Sequence, residues 1–374
     1  MRDTQFADPI HPQAFGKTFG SRRQMLALGG AAAVLGWAGP LTPGSLAAWL
    51  KIPAARLGIC SFSCHQHWEA VRQGWEGVSF TDARTFYDYV RSLGAEGVQT
   101  SLTAMDSEQA LAFRAHREAT AGYYEGDLRL PKNETDCQRF EEEVRLTRLA
   151  GAEVARVTLA GRRYESWHSR EEFLAFQAAA HQRLAWVEPI ARKHRLTLAV
   201  ENHKDHTAVE LVALIQAISS EWIGITVDTG NNLALLEDPS RTIELLAPYA
   251  KTVHLKDMAV QPAEQGFLLS EVPCGQGLLD LPGIVSQLMK YNANLRFNLE
   301  MATRDPLQVP CLTEDYWKTF ERRDDDGLNK FLAWVKRNPP RESPPGVADL
   351  DRQQRLAAEE KHNRLSLQWM HQRL

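Results

Sequence analysis

Leu196-Thr-Leu-Ala-Val-Glu201-Asn-His203 (LTLAVENH) reads as a buried strand that breaks into polar side chains at its carboxyl end. Three later segments repeat the form: Ile223–Gly230 (IGITVDTG), Lys251–Asp257 (KTVHLKD) and Leu295–Glu300 (LRFNLE). Each is an apolar, β-branched or leucine-rich run, the composition of a strand covered on both faces. Each emerges into a side chain able to hold a divalent cation: Glu201, Asp228, His254 and Glu300. Intervals of 27, 26 and 46 residues separate these four. Every interval has room for one helix and its loops, as a parallel βα repeat requires.

Upstream, strands are predicted at Arg56–Phe62, Glu96–Thr100, Tyr123–Leu128 and Val154–Leu159. Helices fall at Asp82–Leu93, at Glu134–Leu149 with Gly151 closing it, and at Arg170–His194. Thr207-Ala-Val-Glu210 has the form of a capping box opening the next helix, and a helix near Pro239–Leu246 leads to the strand of His254. The stretch after that strand reads as a loop carrying Gly275-Gln276-Gly277 and Asp280. Eight strand–helix units in about 245 residues match the usual size of a (β/α)8 TIM barrel, so the fold class is α/β.

Residues 1–47 read as a twin-arginine signal peptide: Ser21-Arg22-Arg23, an apolar ALGGAAAVLGWAGPL run, then Ser45-Leu46-Ala47 as a cleavage site. The run is too short and too broken by Gly and Pro to span a bilayer, so no stable membrane insertion is expected after cleavage, and the periplasm is the expected location. Residues 48–337 are assigned to the barrel, with Asp325–Arg337 as its closing helix. Residues 338–374 read as a Pro-rich linker and a charged helix without a strong apolar stripe. That helix is expected to be a solvated or docking tail; a contact in a homo-oligomer is the alternative.

A net charge of −4 provides no basic field for nucleic acid, and 44% hydrophobic residues suffice for one large core. Cys60, Cys64, Cys137, Cys274 and Cys311 are scattered and form no CxxC pair, which argues against a zinc ribbon or disulfide scaffold. A single Cys60–Cys64 bridge is conceivable outside the cytoplasm, but both residues lie in or beside a predicted strand.

Functional side chains of a (β/α)8 barrel gather at the carboxyl ends of its strands. Alternation puts Glu201 and His203 on one face, and likewise His254 and Lys256. A lone strand-end acid is more often a cap or an ion-pair partner, and Asp228 is placed to cap the turn at Thr229-Gly230. Four such residues on consecutive strands point instead to one site. Three buried carboxylates without partners are costly, and a shared cation removes the cost for all of them. One nitrogen with three carboxylates suits Mn²⁺ first, then Co²⁺ or Mg²⁺, over structural Zn²⁺ or Ca²⁺.

The segments ENH, VDTGN, VHLKD and NLE, with YYEGDLRLP and VPCGQGLLDLPGI, resemble the signatures of the xylose-isomerase-like barrels. They resemble in particular the sugar isomerase/epimerase branch that includes the tagatose/psicose 3-epimerases. The resemblance covers residues 56–337 and implies one divalent ion held by Glu201, Asp228, His254 and Glu300. It implies that the two glutamates double as an acid/base pair on opposite sides of a substrate carbon. A keto-sugar is the implied substrate, unphosphorylated if the chain is exported. His203, Lys256 and Asn231 are the candidate substrate contacts. Asn231 stands where these epimerases carry His, and Val260 where they carry Arg.

The implied chemistry is deprotonation beside a polarised carbonyl to give an enediolate. Reprotonation on the other face epimerises the sugar, whereas loss of a leaving group makes the protein a dehydratase or lyase. A non-catalytic sugar-binding protein is a third reading. An abasic-site endonuclease of the same fold would need more histidines, and none occurs between Lys256 and Phe297.

Overall fold

The computed structural model describes residues 52–374, so the expected signal peptide and its cleavage site lie outside the described residues. From the amino end the chain runs through β1 (Leu57–Cys60), α1 (His65–Arg72), α2 (Ala83–Leu93), β2 (Gly97–Thr100), α3 (Ser107–Ala119), β3 (Tyr123–Leu128) and α4 (Cys137–Leu149). It continues through β4 (Val154–Val157), α5 (Arg163–Ser166), α6 (Arg170–His194), β5 (Thr197–Glu201), α7 (Ala208–Ile218), β6 (Ile223–Asp228), α8 (Pro239–Leu246) and β7 (Ala250–Leu255). Then come β8 (Asp257–Ala263), β9 (Gly266–Val272), α9 (Leu281–Tyr291), β10 (Phe297–Leu299), β11 (Leu307–Val309), α10 (Glu314–Trp317), α11 (Asp325–Arg337) and α12 (Arg352–Arg373).

Eight strands close a parallel barrel in the order β1-β10-β7-β6-β5-β4-β3-β2, which is the (β/α)8 arrangement read from the sequence. Helix starts are fixed locally. Asp82 and Thr207 complete capping boxes at α2 and α7, and Asp238 caps α8 ahead of a proline in its first turn. Strand ends and helix starts are thereby locked in step around the ring. A Cβ at Gly97 would lie 2.3 Å from the Tyr123 ring, so glycine there lets that ring pack across the strand.

Three expectations are corrected. The stretch after β7 is not all loop: β8 and β9 pair antiparallel and β11 adds to β9, while Gly275, Gln276, Gly277 and Asp280 do lie in the loop before α9. Met258, Val260, Phe267, Leu269 and Val309 of this sheet pack with Tyr316 and Phe331 into a second apolar core, which gives the strands a buried face. The helix Asp325–Arg337 does not close the barrel; it packs on β8 and β9 as part of that second core.

The barrel's eighth outer helix is α12, expected as a solvated or docking tail. It packs on α1, α2 and β10, with Leu367 and Met370 in the main core. Its lack of an apolar stripe has a physical reason, because half of its buried face is polar and docks by hydrogen bonds. Glu359 accepts the backbone N–H groups of Gln66 (2.7 Å) and His67 (3.1 Å), and Asn363 Nδ2 donates to Ser63 O (2.9 Å). Trp369 fills the space that a Cβ at Gly275 would need, and Gly275 has φ +85°, so only glycine suits that position. The five cysteines are free, and no Cys60–Cys64 bridge forms.

Candidate metal centre

β5 ends on Glu201, β6 on Asp228, His254 lies one residue before the end of β7, and Glu300 follows β10 directly. These four strands are neighbours in the ring, and the register sets Asp228 beside His254. Strands ending in step therefore deliver the four side chains to one place. One ligand atom from each lies within 4.8 Å of the others, and all four residues are buried.

His254 is oriented from across the barrel. Its Nε2 lies 2.5 Å from Gln99 Oε1, while Gln99 Nε2 donates to Glu125 Oε2 at 3.1 Å. The same Glu125 oxygen accepts from Thr252 Oγ1 (2.6 Å) and Asn298 Nδ2 (2.9 Å). With its amide nitrogen committed to Glu125, Gln99 offers His254 only an acceptor. Nε2 therefore keeps its proton, and Nδ1, the nitrogen a bound cation would take, turns into the cluster.

Asp228 divides its oxygens. Oδ1 accepts the N–H groups of Gly230 (2.9 Å) and Asn231 (2.7 Å), the turn cap expected for it, while Oδ2 lies 2.9 Å from Lys256 Nζ. Asn202 clamps its backbone, accepting the Asp228 N–H at 2.7 Å and donating to its carbonyl at 2.9 Å.

Glu201 Oε2 accepts from Arg156 Nε on β4 at 2.7 Å, and Arg156 Nη1 donates to Asp127 at 2.8 Å. The other Glu201 oxygen accepts from Asn231 Nδ2 at 3.0 Å. Glu300 Oε1 accepts from Lys256 Nζ at 2.6 Å; its Oε2 lies 2.5 Å from His254 Nδ1 and accepts from Cys60 Sγ at 3.8 Å.

Burial raises the pKa of each carboxylate, and the cations decide which stay raised. Arg156 reverses the effect at Glu201 and holds it below its ordinary value. Lys256 and His254 do the same for Glu300, taking it well below. Asp228 stays up at about 6, because Lys256 only partly offsets burial and both glutamates oppose its charge. Burial lowers His254, but Glu300 and Glu201 lift it to about 10. Lys256 is likewise pushed down by burial and returned above its ordinary value by Asp228 and Glu300.

The residues fit a divalent ion. Asp228 Oδ2 and His254 Nδ1 are buried and have no neutral hydrogen-bond partner; the first meets only Lys256 Nζ, and the second meets only glutamate carboxylates. Two such atoms, with one oxygen from each of two glutamates within 4.8 Å, form a donor set of three hard oxygens and one imidazole nitrogen.

Of the other sequence-predicted residues, Lys256 and Asn231 join this cluster. His203 does not bond to it: its Nδ1 lies 3.2 Å from Gly161 O, and burial with the nearby Lys204 charge lowers its pKa to about 4. Sequence reasoning missed Gln99, Arg156, Asn202 and Lys204. The signal was present in VARV and GVQT, where a charge and an amide interrupt apolar four-residue strands.

Residues 69–319 match the sequence profile of the family described as "Xylose isomerase-like TIM barrel", and the chain belongs to that family. A curated relative, the 3-oxo-isoapionate decarboxylase of Pectobacterium atrosepticum, is 30% identical over 36% of this chain and 50% of its own length. The chain therefore spans about half the length of that relative. A protein of Escherichia coli, provisionally named an L-ribulose-5-phosphate 3-epimerase, is 26% identical over 52% of this chain and 66% of its own length. Among solved structures, the D-psicose 3-epimerase of Clostridium cellulolyticum with D-tagatose superposes with a TM-score of 0.50 at 12% identity, covering 76% of this chain and 99% of that one; that likeness concerns the fold.

Proposed function

We propose, for this member of the xylose isomerase-like barrels, a divalent-metal-dependent isomerase or epimerase acting on an unphosphorylated keto-sugar. The quartet Glu201, Asp228, His254 and Glu300 carries the reading, because its buried donor atoms converge and two of them have only charged side chains as partners. Mn²⁺, with Co²⁺ and Mg²⁺ as substitutes, suits the donor set. When bound there, the ion polarises a substrate carbonyl and offsets the charge that develops as the adjacent C–H is lost.

The rest of the chemistry belongs to side chains of this chain. Glu201 and Glu300 reach in from strands separated by β6 and β7, and each is kept anionic by its own cation, Arg156 or Lys256. One glutamate takes the proton. Protonation leaves its partner cation unbalanced in a buried site, which favours giving the proton back. Delivery of a proton by the other glutamate inverts the carbon. Lys256 Nζ lies 2.6 Å from Glu300 Oε1 and 3.3 Å from Asn231 Oδ1, where its charge steadies an oxyanion.

A second reading, a lyase that reaches the same kind of enolate by losing a group, has one specific support: the curated relative from Pectobacterium atrosepticum is named a decarboxylase, and loss of CO₂ from a keto acid leaves its bonding pair as an enolate. Export by the twin-arginine route to the periplasm is part of the proposal and confines the substrate to sugars found there.

Metal analysis combined with a screen of ketoses, 3-keto-glycosides and keto-sugar acids in D₂O tests the proposal. The expected result is one divalent ion per chain and Mn²⁺-dependent deuterium incorporation beside the carbonyl. Loss of CO₂, water or an aglycone without inversion would select the lyase reading. A protein that takes up no divalent ion and exchanges no C–H would end both.

A further inference from the structure

We infer that the substrate carries a carboxylate and that the ammonium of Lys204 is its anchor. The inference rests on the site reading proposed above and adds the chemical class of the molecule bound there. Lys204 follows the end of β5 by three residues and is 2% exposed. Its backbone oxygen accepts the Arg163 N–H at 2.8 Å, which fixes the loop over the barrel mouth.

The partners of the four cations near the quartet differ in kind. Arg156 contacts Glu201 and Asp127, Lys256 contacts Asp228, Glu300 and, at 4.0 Å, Glu271, and Arg304 contacts Glu271. Lys204 Nζ, by contrast, bonds to the side-chain oxygen of Asn231, and among the described residues no carboxylate lies within ion-pair distance of it. That amide oxygen is shared, because Lys256 Nζ lies 3.3 Å from it as well. Two ammonium groups thus converge on one neutral acceptor, and the carboxylates of Glu271 and Asp228 reach Lys204 only from beyond contact distance. Burial, followed by the charges of Lys256 and Arg304, brings the Lys204 pKa down to about 8, with Glu271 and Asp228 opposing but not cancelling them.

A buried charge without a counter-charge is costly and persists where a ligand completes it. A divalent ion on the quartet makes this neighbourhood more positive still. One ammonium lacks a carboxylate in contact, which matches a single carboxylate ligand; a phosphate monoester, with nearly twice the charge and three acceptor oxygens, would call for a further arginine or lysine. The position is also apt. Asn231, which holds Lys204 Nζ through Oδ1, donates through Nδ2 to Glu201 Oε1 at 3.0 Å. A sugar acid held at Lys204 therefore lies next to both the donor quartet and one of the proposed proton carriers.

The test is equilibrium binding on the full chain. Mn²⁺ affinity is measured first. Affinities of the Mn²⁺-loaded protein follow for keto-hexonates (5-keto-D-gluconate and its stereoisomers), for the ketohexoses, and for ketohexose 6-phosphates. The wild type is expected to bind its best keto-hexonate about 10- to 100-fold more tightly than any ketohexose, the range of a buried hydrogen bond to a charged group. In Lys204→Met that preference is expected to vanish, while Mn²⁺ affinity stays within a few-fold of wild type.

Failure of Mn²⁺ to bind the wild type overturns the site reading and the anchor with it. Mn²⁺ binding without a keto-hexonate preference, or a preference for the 6-phosphates, overturns the carboxylate assignment alone. A preference that survives in Lys204→Met removes Lys204 as the anchor. The comparison among ligands needs only the wild type, so a poorly folding variant does not protect the proposal.

Discussion

The two halves of the barrel ring contribute different things to its mouth. β5, β6, β7 and β10 carry Glu201, Asp228, His254 and Glu300, the atoms that converge. β2, β3 and β4 carry Gln99, Glu125, Asp127 and Arg156, which meet the first set through hydrogen bonds and ion pairs. The difference separates where a donor stands from what state it is in. Position along a strand delivers the donors, whereas the supporting half fixes the His254 tautomer and keeps Glu201 anionic. A (β/α)8 barrel makes this division cheap to build, since side chains from opposite strands meet in its interior without any change of backbone.

The sharpest way to break the comparison is to remove one function from each half. Glu300→Gln and Glu201→Gln keep volume and polarity but cannot accept the proton. Each is expected to lower deuterium exchange of the substrate C–H by about 10²- to 10⁴-fold, the usual weight of general acid–base catalysis. Asp127→Asn, in the supporting half, loosens Arg156 without touching the quartet and is expected to cost less than about tenfold. Equal losses in the three variants, measured by NMR at saturating Mn²⁺, would erase the distinction between the halves.

A smaller effect tests whether the supporting half orients or merely fills. Gln99→Met keeps the bulk but removes the acceptor facing His254 Nε2. Mn²⁺ affinity, read by titration calorimetry, is expected to fall about 10- to 100-fold, the usual penalty for losing the partner of a ligating histidine. An unchanged affinity would mean that packing alone sets the ring and that the 2.5 Å contact is incidental.

The same division explains what could be read from the sequence. The four donors were legible because each sits where an apolar run stops, a local pattern. The helices over Arg170–His194, Pro239–Leu246 and Asp325–Arg337 were legible for the same reason, since caps and periodicity are local. Gln99, Arg156 and Lys204 act through partners 155, 45 and 27 residues away, and no spacing rule announces such pairs. The hairpin of β8 and β9 was hidden because the core that buries it is assembled from α10 and α11, much later in the chain. Helix α12 was hidden by chemistry: a face built of Glu359, Asn363 and Ser366 looks solvated until its hydrogen-bond partners are known.

The smallest expected effect concerns a half-buried acid on the donor side of the ring that forms no ion pair among the described residues. Glu237 accepts from the Ala208 N–H with both oxygens (3.1 and 2.9 Å) and from Asn232 Nδ2. These donors do not offset burial, which raises its pKa to about 7, whereas Arg156 and Lys256 hold Glu201 and Glu300 down. The sign follows from linkage. Below pH ~4.5 Glu237 is protonated whether the chain is folded or not, and its stabilising share is fully present. Between pH ~4.5 and about 7 the unfolded chain releases the proton while the folded chain keeps it, so stability falls as pH rises; above that it levels off. The total loss is about 3 kcal/mol, most of it between pH 5 and pH 8. Glu237→Gln cannot titrate, so its stability relative to wild type is expected to improve by that amount between pH 5 and pH 8 in urea melts of the metal-free protein. Parallel pH profiles for the two proteins would show that Glu237 is ionised in the fold after all. Its hydrogen-bond donors would then do for it what the cations do for Glu201 and Glu300.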